Sequence, residues 1–186
     1  MSEVTRQRLY ELVASIGNWS RKNFGNQEGD GLVLGRIAPL LGIIEECYEA
    51  FESLHMLQSI EDAVADAGIY LLDYISRSCQ EQEELDEVVN LFFTETKYQY
   101  TTVEALLEIL GKLCRIELKR IQGIRKFQDR SFYIKERNKI LKYLIDWFIN
   151  FSVRCNIDWL EAIDKTFTTI VQHRDWTSNP NTGEKA

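Results

Sequence analysis

The chain has 186 residues, 45% of them hydrophobic, enough for one sizeable core or for two small halves that share one. Its formal net charge is −7 and its isoelectric point is near 5.0, so it lacks the basic field expected of a non-specific nucleic-acid or anionic-membrane binder. The four cysteines (Cys47, Cys79, Cys114, Cys155) form no CxxC pair and only two histidines occur, which argues against zinc and fits scattered reduced thiols. No apolar run reaches about 18 residues and the N-terminal MSEVTRQRLYEL lacks a signal-peptide core, so a soluble, cytoplasmic protein is expected, with no membrane or nucleic-acid partner.

Along the chain, Leu9, Leu12, Val13, Ile16 and Trp19 recur at helical spacing and predict a helix over 3–20. RKNFGNQEGDGLVLG reads as a loop of functional length, and helical periodicity returns over 37–56. SIED predicts a capped start at Ser59 for a helix ending near Cys79. A short acidic helix over 81–93 and a Thr-rich break at 94–102 follow. Further helices are predicted over 102–126, 132–153 and 157–173, with a break at 128–131 and a disordered tail over 177–186. No segment alternates with period two, so the expected class is all-α, a helical bundle forming one domain over 1–176.

YLLDYI at 70–75 is echoed by YLIDWF at 143–148, an offset of 73. Carried backwards, that offset sets Glu46 opposite Lys119, Glu49 opposite Gln122, Asp62 opposite Lys135 and Asp66 opposite Lys139. Two tandem related halves, about 1–80 and 81–176, are therefore expected, the second a degenerate copy in which acids have become lysines.

Within GIIEECYEAFE at 42–52, Ile43, Ile44, Cys47, Ala50, Phe51 and Leu54 form an apolar helix face. Glu46 lies at its edge with Glu49 one turn on, while Glu45 and Glu52 point further out. The helix after Ser59 is apolar around most of its circumference, yet Asp62, Asp66 and Asp73 share one stripe. Buried carboxylates without partners cost several kcal/mol each or protonate, so arginines, lysines or a hard divalent cation must meet them. A tight helical hairpin would bring Glu46 and Glu49 across from Asp62 and Asp66, a set of oxygen donors suited to Mg²⁺. Asp73 lies about 10 Å beyond Asp66 along the helix, too far for the same ion. Its counterpart Asp146 remains an acid, which favours a structural hydrogen-bonding role for this position.

Glu45-Glu46-x-x-Glu49, followed by an acid and Asp66 on the next helix, resembles the EExxE…ExxD signature of MazG-like nucleoside triphosphate pyrophosphohydrolases. These belong to the all-α NTP pyrophosphatase superfamily, with the dimeric dUTPases. Trp19 with Asn23-Phe24, the run EDAVADAGIYLL, and Arg174-Asp175-Trp176 followed by NPNTG extend the resemblance over most of 10–182. The chain departs from the signature in spacing: Asp62 and Asp66 are four apart, still one helical turn, with Glu61 just before as an alternative ligand.

The resemblance implies hydrolysis of a nucleoside triphosphate to monophosphate and pyrophosphate. It implies Mg²⁺, or Mn²⁺ in its place, on Glu46, Glu49, Asp62 and Asp66, with Glu45 or Glu46 accepting the proton of water. Lys119, Lys135, Lys139 and Arg174 would meet phosphates. Trp19, Phe24 and Trp176 would wall the base, and Asn23 would read its edge. Family sites are generally built from two subunits or two repeats, which leaves self-association open. A dUTPase and a non-catalytic nucleotide-binding helical module are the alternatives. A kinase or nuclease is disfavoured, because neither a Gly-rich phosphate loop followed by Lys-Ser/Thr nor a basic groove occurs, and HRDW at 173–176 lacks the surrounding kinase motifs.

Overall fold

The computed structural model describes residues 3–25, 34–56, 59–95 and 101–178. Every regular element among them is helical: α1 (Glu3–Phe24), α2 (Leu34–His55), α3 (Glu61–Ser78), α4 (Gln82–Phe93), α5 (Val103–Ile121), the single-turn α6 (Arg125–Gln128), α7 (Arg130–Arg154), α8 (Trp159–Thr169) and a 3₁₀ turn, Val171–His173. Residues 26–33 of the glycine-rich loop, 57–58 of the hairpin connection, 96–100 of the Thr-rich break, and 179–186 with the NPNTG motif lie outside the described residues. None of the described helices is long and apolar enough to cross a membrane.

Local chemistry explains where the helices start and stop. Thr102, Asp129 and Asp158 cap α5, α7 and α8, their side-chain oxygens accepting from Ala105 N (3.3 Å), Phe132 N (2.9 Å) and Glu161 N (3.2 Å). Ser59 is not the cap of α3: Ile60 supplies the first helical carbonyl, to Val64 N, and the Ser59 hydroxyl meets only Glu61 N at 3.4 Å. The helix expected over 102–126 ends at Ile121, because Gly123 turns the backbone left-handed (φ +68°) and the chain restarts as α6. The single helix expected over 157–173 gives way at Ile170 to the 3₁₀ turn. Thr177 and Ser178, placed in the tail by the sequence, close a turn on the Asp175 carboxylate.

The chain divides into two compact units. One is residues 79–156; the other is discontinuous, 2–78 with 157–186. The tandem halves expected at 1–80 and 81–176 differ from these units at the C-terminal end, since α8 packs on α3 and α1. In the discontinuous unit α3 is central and buried nearly all round, packed by α1, α2 and α8. Its contact with α8 is close at Gly68. A Cβ there would overlap Ile163 and come within 2.8 Å of Trp159 Nε1, which donates to Val64 O at 3.2 Å.

In the unit 79–156, α7 takes the corresponding place, packed by α4 and α5. Val88, Phe92, Leu110, Leu113, Leu144 and Phe148 make its core, and Trp147 stacks on Phe151 while donating to Thr102 O at 3.2 Å. The two units thus share an order of packing, the third long helix lying on the first and second. They also share a buried aspartate on that helix. Asp73 pairs with Arg77, which reaches Gly25 O just past the end of α1; Asp146 pairs with Lys142, which reaches Leu91 O and Thr94 O at the end of α4.

Gly68→Ala is expected to destabilise the protein by about 1–3 kcal/mol in urea unfolding, because overpacking at Ile163 and Trp159 outweighs the roughly 1 kcal/mol that alanine gains in helix propensity.

Candidate active site

Three helices and the C-terminal segment of the discontinuous unit enclose a cavity of about 510 Å³, within the range of small-molecule sites. It exists because the walls are unequal. α2 turns small residues towards it (Gly35, Ala38 and Gly42), whereas α1 contributes Ile16, Trp19, Ser20 and Phe24. Pro39 lies on the α2 wall inside the helix, and since proline has no N–H, the Gly35 carbonyl has no donor four residues on. α3 lines the cavity with Asp66, Tyr70, Asp73 and Arg77, four residues at positions i, i+4, i+7 and i+11 that fall on one stripe.

Gly42 fixes how α2 meets α3. The Tyr70 ring lies so close that a Cβ on residue 42 would stand 2.6 Å from three ring carbons. One turn from that contact on each antiparallel helix, this register brings Glu46 to Asp66, whose charge acts on the Glu46 carboxyl. Glu46 is half-buried at the edge of the apolar face, as its helical position requires, and Glu45 beside it is exposed. Burial pushes the Glu46 carboxyl up to about 8, with Asp66, Glu49 and Glu45 adding like-charge repulsion. Burial likewise raises Asp66 to about 6, against the pull of Arg174 and with further upward push from Asp62 and Glu49. On the buried side of α2, burial and then Glu46 lift the Cys47 thiol to about 12, so this thiol is inert.

The expected ligand set thus meets unevenly. Glu46 and Asp66 line the cavity, while Glu49 and Asp62 stand outside its lining and act on the pair through space. Among the described residues no group of three or more His, Cys, Asp or Glu side chains is drawn close enough to hold a metal ion. Glu61 lies at the start of α3 beside Lys165 of α8, 3.5 Å away, and is not on the cavity wall.

The C-terminal segment closes one side with Val171, Arg174 and Trp176. Two hydrogen bonds strap it to α1: Trp19 Nε1 donates to Arg174 O at 3.1 Å, and Trp176 N donates to Asn23 Oδ1 at 2.8 Å. Asn23 also donates through Nδ2 to Trp19 O at 2.9 Å. Its amide, expected to read a base edge, is therefore engaged at both ends in holding the strap, and it does not line the cavity. Trp19 meets Phe24 edge-on at 5.6 Å and Phe167 at 6.4 Å, so it joins the cavity wall to the core. Lys119, Lys135 and Lys139, expected at phosphates, lie on α5 and α7 of the unit 79–156.

Sequence reasoning passed over Ser20, Tyr70 and Arg77. Arg77 and Ser20 are 6% and 2% exposed, yet both line the cavity beside Asp73. Arg77 Nε donates to both Asp73 oxygens (2.9 and 3.0 Å), Arg77 Nη2 donates to Ser20 Oγ (2.7 Å), and the Ser20 hydroxyl donates to Asp73 Oδ2 (2.7 Å). Burial raises the Asp73 carboxyl above its ordinary range, with Arg77 and Ser20 pulling against it. The four-residue spacing from Asp73 to Arg77 on an apolar helix was the available signal.

No protein-family model, curated protein or solved structure matches the chain.

The raised Glu46 carboxyl has a thermodynamic consequence. Its stabilising contribution is complete below the unfolded value near 4.5 and is lost as pH rises through about 8. With divalent cations chelated, Glu46→Gln should match the parent melting temperature near pH 4 and exceed it above pH 8. Equal melting temperatures at both ends of that range would show that burial and the neighbouring carboxylates do not raise Glu46.

Proposed function

We propose that the chain is a Mg²⁺-dependent nucleoside triphosphate pyrophosphohydrolase of the MazG-like kind, splitting the α–β phosphoanhydride bond to give monophosphate and pyrophosphate. The observation that carries this reading is the half-buried Glu46–Asp66 pair, with Arg174 acting on Asp66, on the wall of a nucleotide-sized cavity that also presents Trp19, Phe24 and Trp176.

In donor type, the residues suit a hard divalent cation. All donors are carboxylate oxygens on adjacent turns of two packed helices, and among the described residues no side chain forms an ion pair or hydrogen bond with Glu46. Glu46, Glu49, Asp62 and Asp66 would hold Mg²⁺ (or Mn²⁺), which when bound neutralises triphosphate charge and orients water. The side chains supply the rest. Arg174 draws the phosphates towards the acidic end, and Trp19, Phe24 and Trp176 exclude water from the base. Water adds across the anhydride as Glu45, or Glu46 in its place, takes its proton. The unit 79–156 is read as a degenerate copy of the α1–α3 arrangement, with Lys119, Lys135 and Lys139 where the first unit has acids.

Purified protein with Mg²⁺ is expected to release pyrophosphate from one or more members of a panel of NTPs and dNTPs, and not when Mg²⁺ is removed. Glu46→Gln and Asp66→Asn should each lower kcat by about 100-fold or more. Release from dUTP alone would narrow the enzyme to a dUTPase. If no triphosphate yields pyrophosphate, the enzymatic reading falls and a nucleotide-binding helical module remains.

A further inference from the structure

The cavity is polar at two places of opposite character. Near Glu46 and Asp66 it is acidic, two carboxyl groups facing the single guanidinium of Arg174. Two turns further along α3, about 10 Å away, Asp73 and Arg77 form an ion pair whose charges cancel, one Nε–H shared between both carboxylate oxygens, with the Ser20 hydroxyl completing it. The rest of the wall there is apolar or aromatic: Ile16, Trp19 and Tyr70. All three polar side chains are more than nine-tenths buried and none takes part in the hydrolysis proposed above.

A buried ion pair roughly breaks even against apolar residues of the same volume, so stability alone does not account for one on a cavity wall. Its hydrogen-bonding capacity is also not exhausted. Arg77 uses one N–H each at Nε, Nη1 and Nη2, through Asp73, Gly25 O and Ser20, which leaves two of the five guanidinium N–H bonds. Asp73 retains acceptor lone pairs beyond those facing Arg77 and Ser20.

We infer that Asp73, Arg77 and Ser20 form the recognition end of the cavity for the uncharged nucleoside part of the ligand, Arg77 donating to an acceptor and Asp73 accepting from an adjacent donor on it. This rests on the nucleotide reading of the cavity and gives the ligand a direction: phosphates at Glu46, Asp66 and Arg174, nucleoside at Asp73 and Arg77. A net-neutral pair does not attract phosphate over an uncharged group, whereas it satisfies a neutral donor–acceptor edge in a site where leaving that edge unpaired is costly. Both a sugar hydroxyl and a base edge carry such a donor and acceptor.

The test is binding with Mg²⁺ present, read by quenching of tryptophan fluorescence; none of the nucleoside probes has an anhydride to cleave. The probes are the four ribonucleosides, their 2′-deoxy and 3′-deoxy forms, and inorganic pyrophosphate. Arg77→Lys keeps the charge and loses the fork; it should weaken nucleosides about tenfold and leave pyrophosphate affinity unchanged. Ser20→Ala, which keeps the ion pair, should weaken nucleosides in the same sense and stands in if Arg77→Lys melts early. Sensitivity to the deoxy forms assigns the group to the sugar, and sensitivity to the base assigns it to the base edge. Unchanged nucleoside affinity in folded variants, or a parent that binds pyrophosphate but no nucleoside, overturns the inference. If nucleosides bind in an Arg77-dependent way while no triphosphate is cleaved, the inference stands and the hydrolase reading falls. Cleavage with nucleoside affinity indifferent to Arg77 and Ser20 gives the reverse.

Discussion

The register between α2 and α3 governs this protein. It is set where the face of Tyr70 lies against Gly42, a contact that no residue with a side chain at 42 could make without moving the ring. From that point the antiparallel helices bring Glu46 to Asp66 in one direction, and Gly35 towards the Arg77 end of the cavity in the other. A slip of one residue on either helix would rotate the carboxylates by about 100° away from each other and turn apolar residues to the cavity. The acidic pair, the cavity and the polar triad beyond it therefore depend on one steric fit.

Electrostatics on the α3 stripe run from discord to balance. Burial raises both Glu46 and Asp66, Asp66 adds to the rise at Glu46, and Arg174 is the moderating cation at Asp66, while Asp73 is answered by a guanidinium on its own helix and a hydroxyl on α1. Two carboxylates on the same helix face, two turns apart, thus have opposite assignments. The first stands among other carboxylates with Arg174 as the cation acting on it, and the charge of the second is balanced on its own helix. Asp146 in the unit 79–156 follows the second pattern, with Lys142 as its cation.

The all-helical class was legible because apolar periodicity is a local property: the spacing in α1 and the nearly all-round burial of α3 follow from residues within a few turns. Caps at Thr102, Asp129 and Asp158 are likewise local chemistry. What periodicity omits is the partner of each face. That α8 returns to α3 depends on Gly68 admitting Ile163 and Trp159, two side chains far along the chain. Asn23 read as a free amide because nothing local shows that its oxygen meets the backbone of Trp176. Arg77 was passed over, since only tertiary packing reveals that it points inward to Asp73 and Ser20. The glutamates and aspartates were recognisable as a group because their helical positions are fixed by sequence. Their separations are not, since these depend on how four like charges settle across two helices.

The discontinuity of the first unit orders its own assembly. During synthesis α1, α2 and α3 emerge early, followed by the whole of residues 79–156, and only then the segment bearing Val171, Arg174 and Trp176. Until that segment arrives, Trp19 Nε1 and Asn23 Oδ1 have no backbone to grip, and the aromatic wall of α1 faces water. A nascent chain can therefore hold its acidic hairpin well before it has a compartment in which to enclose anything.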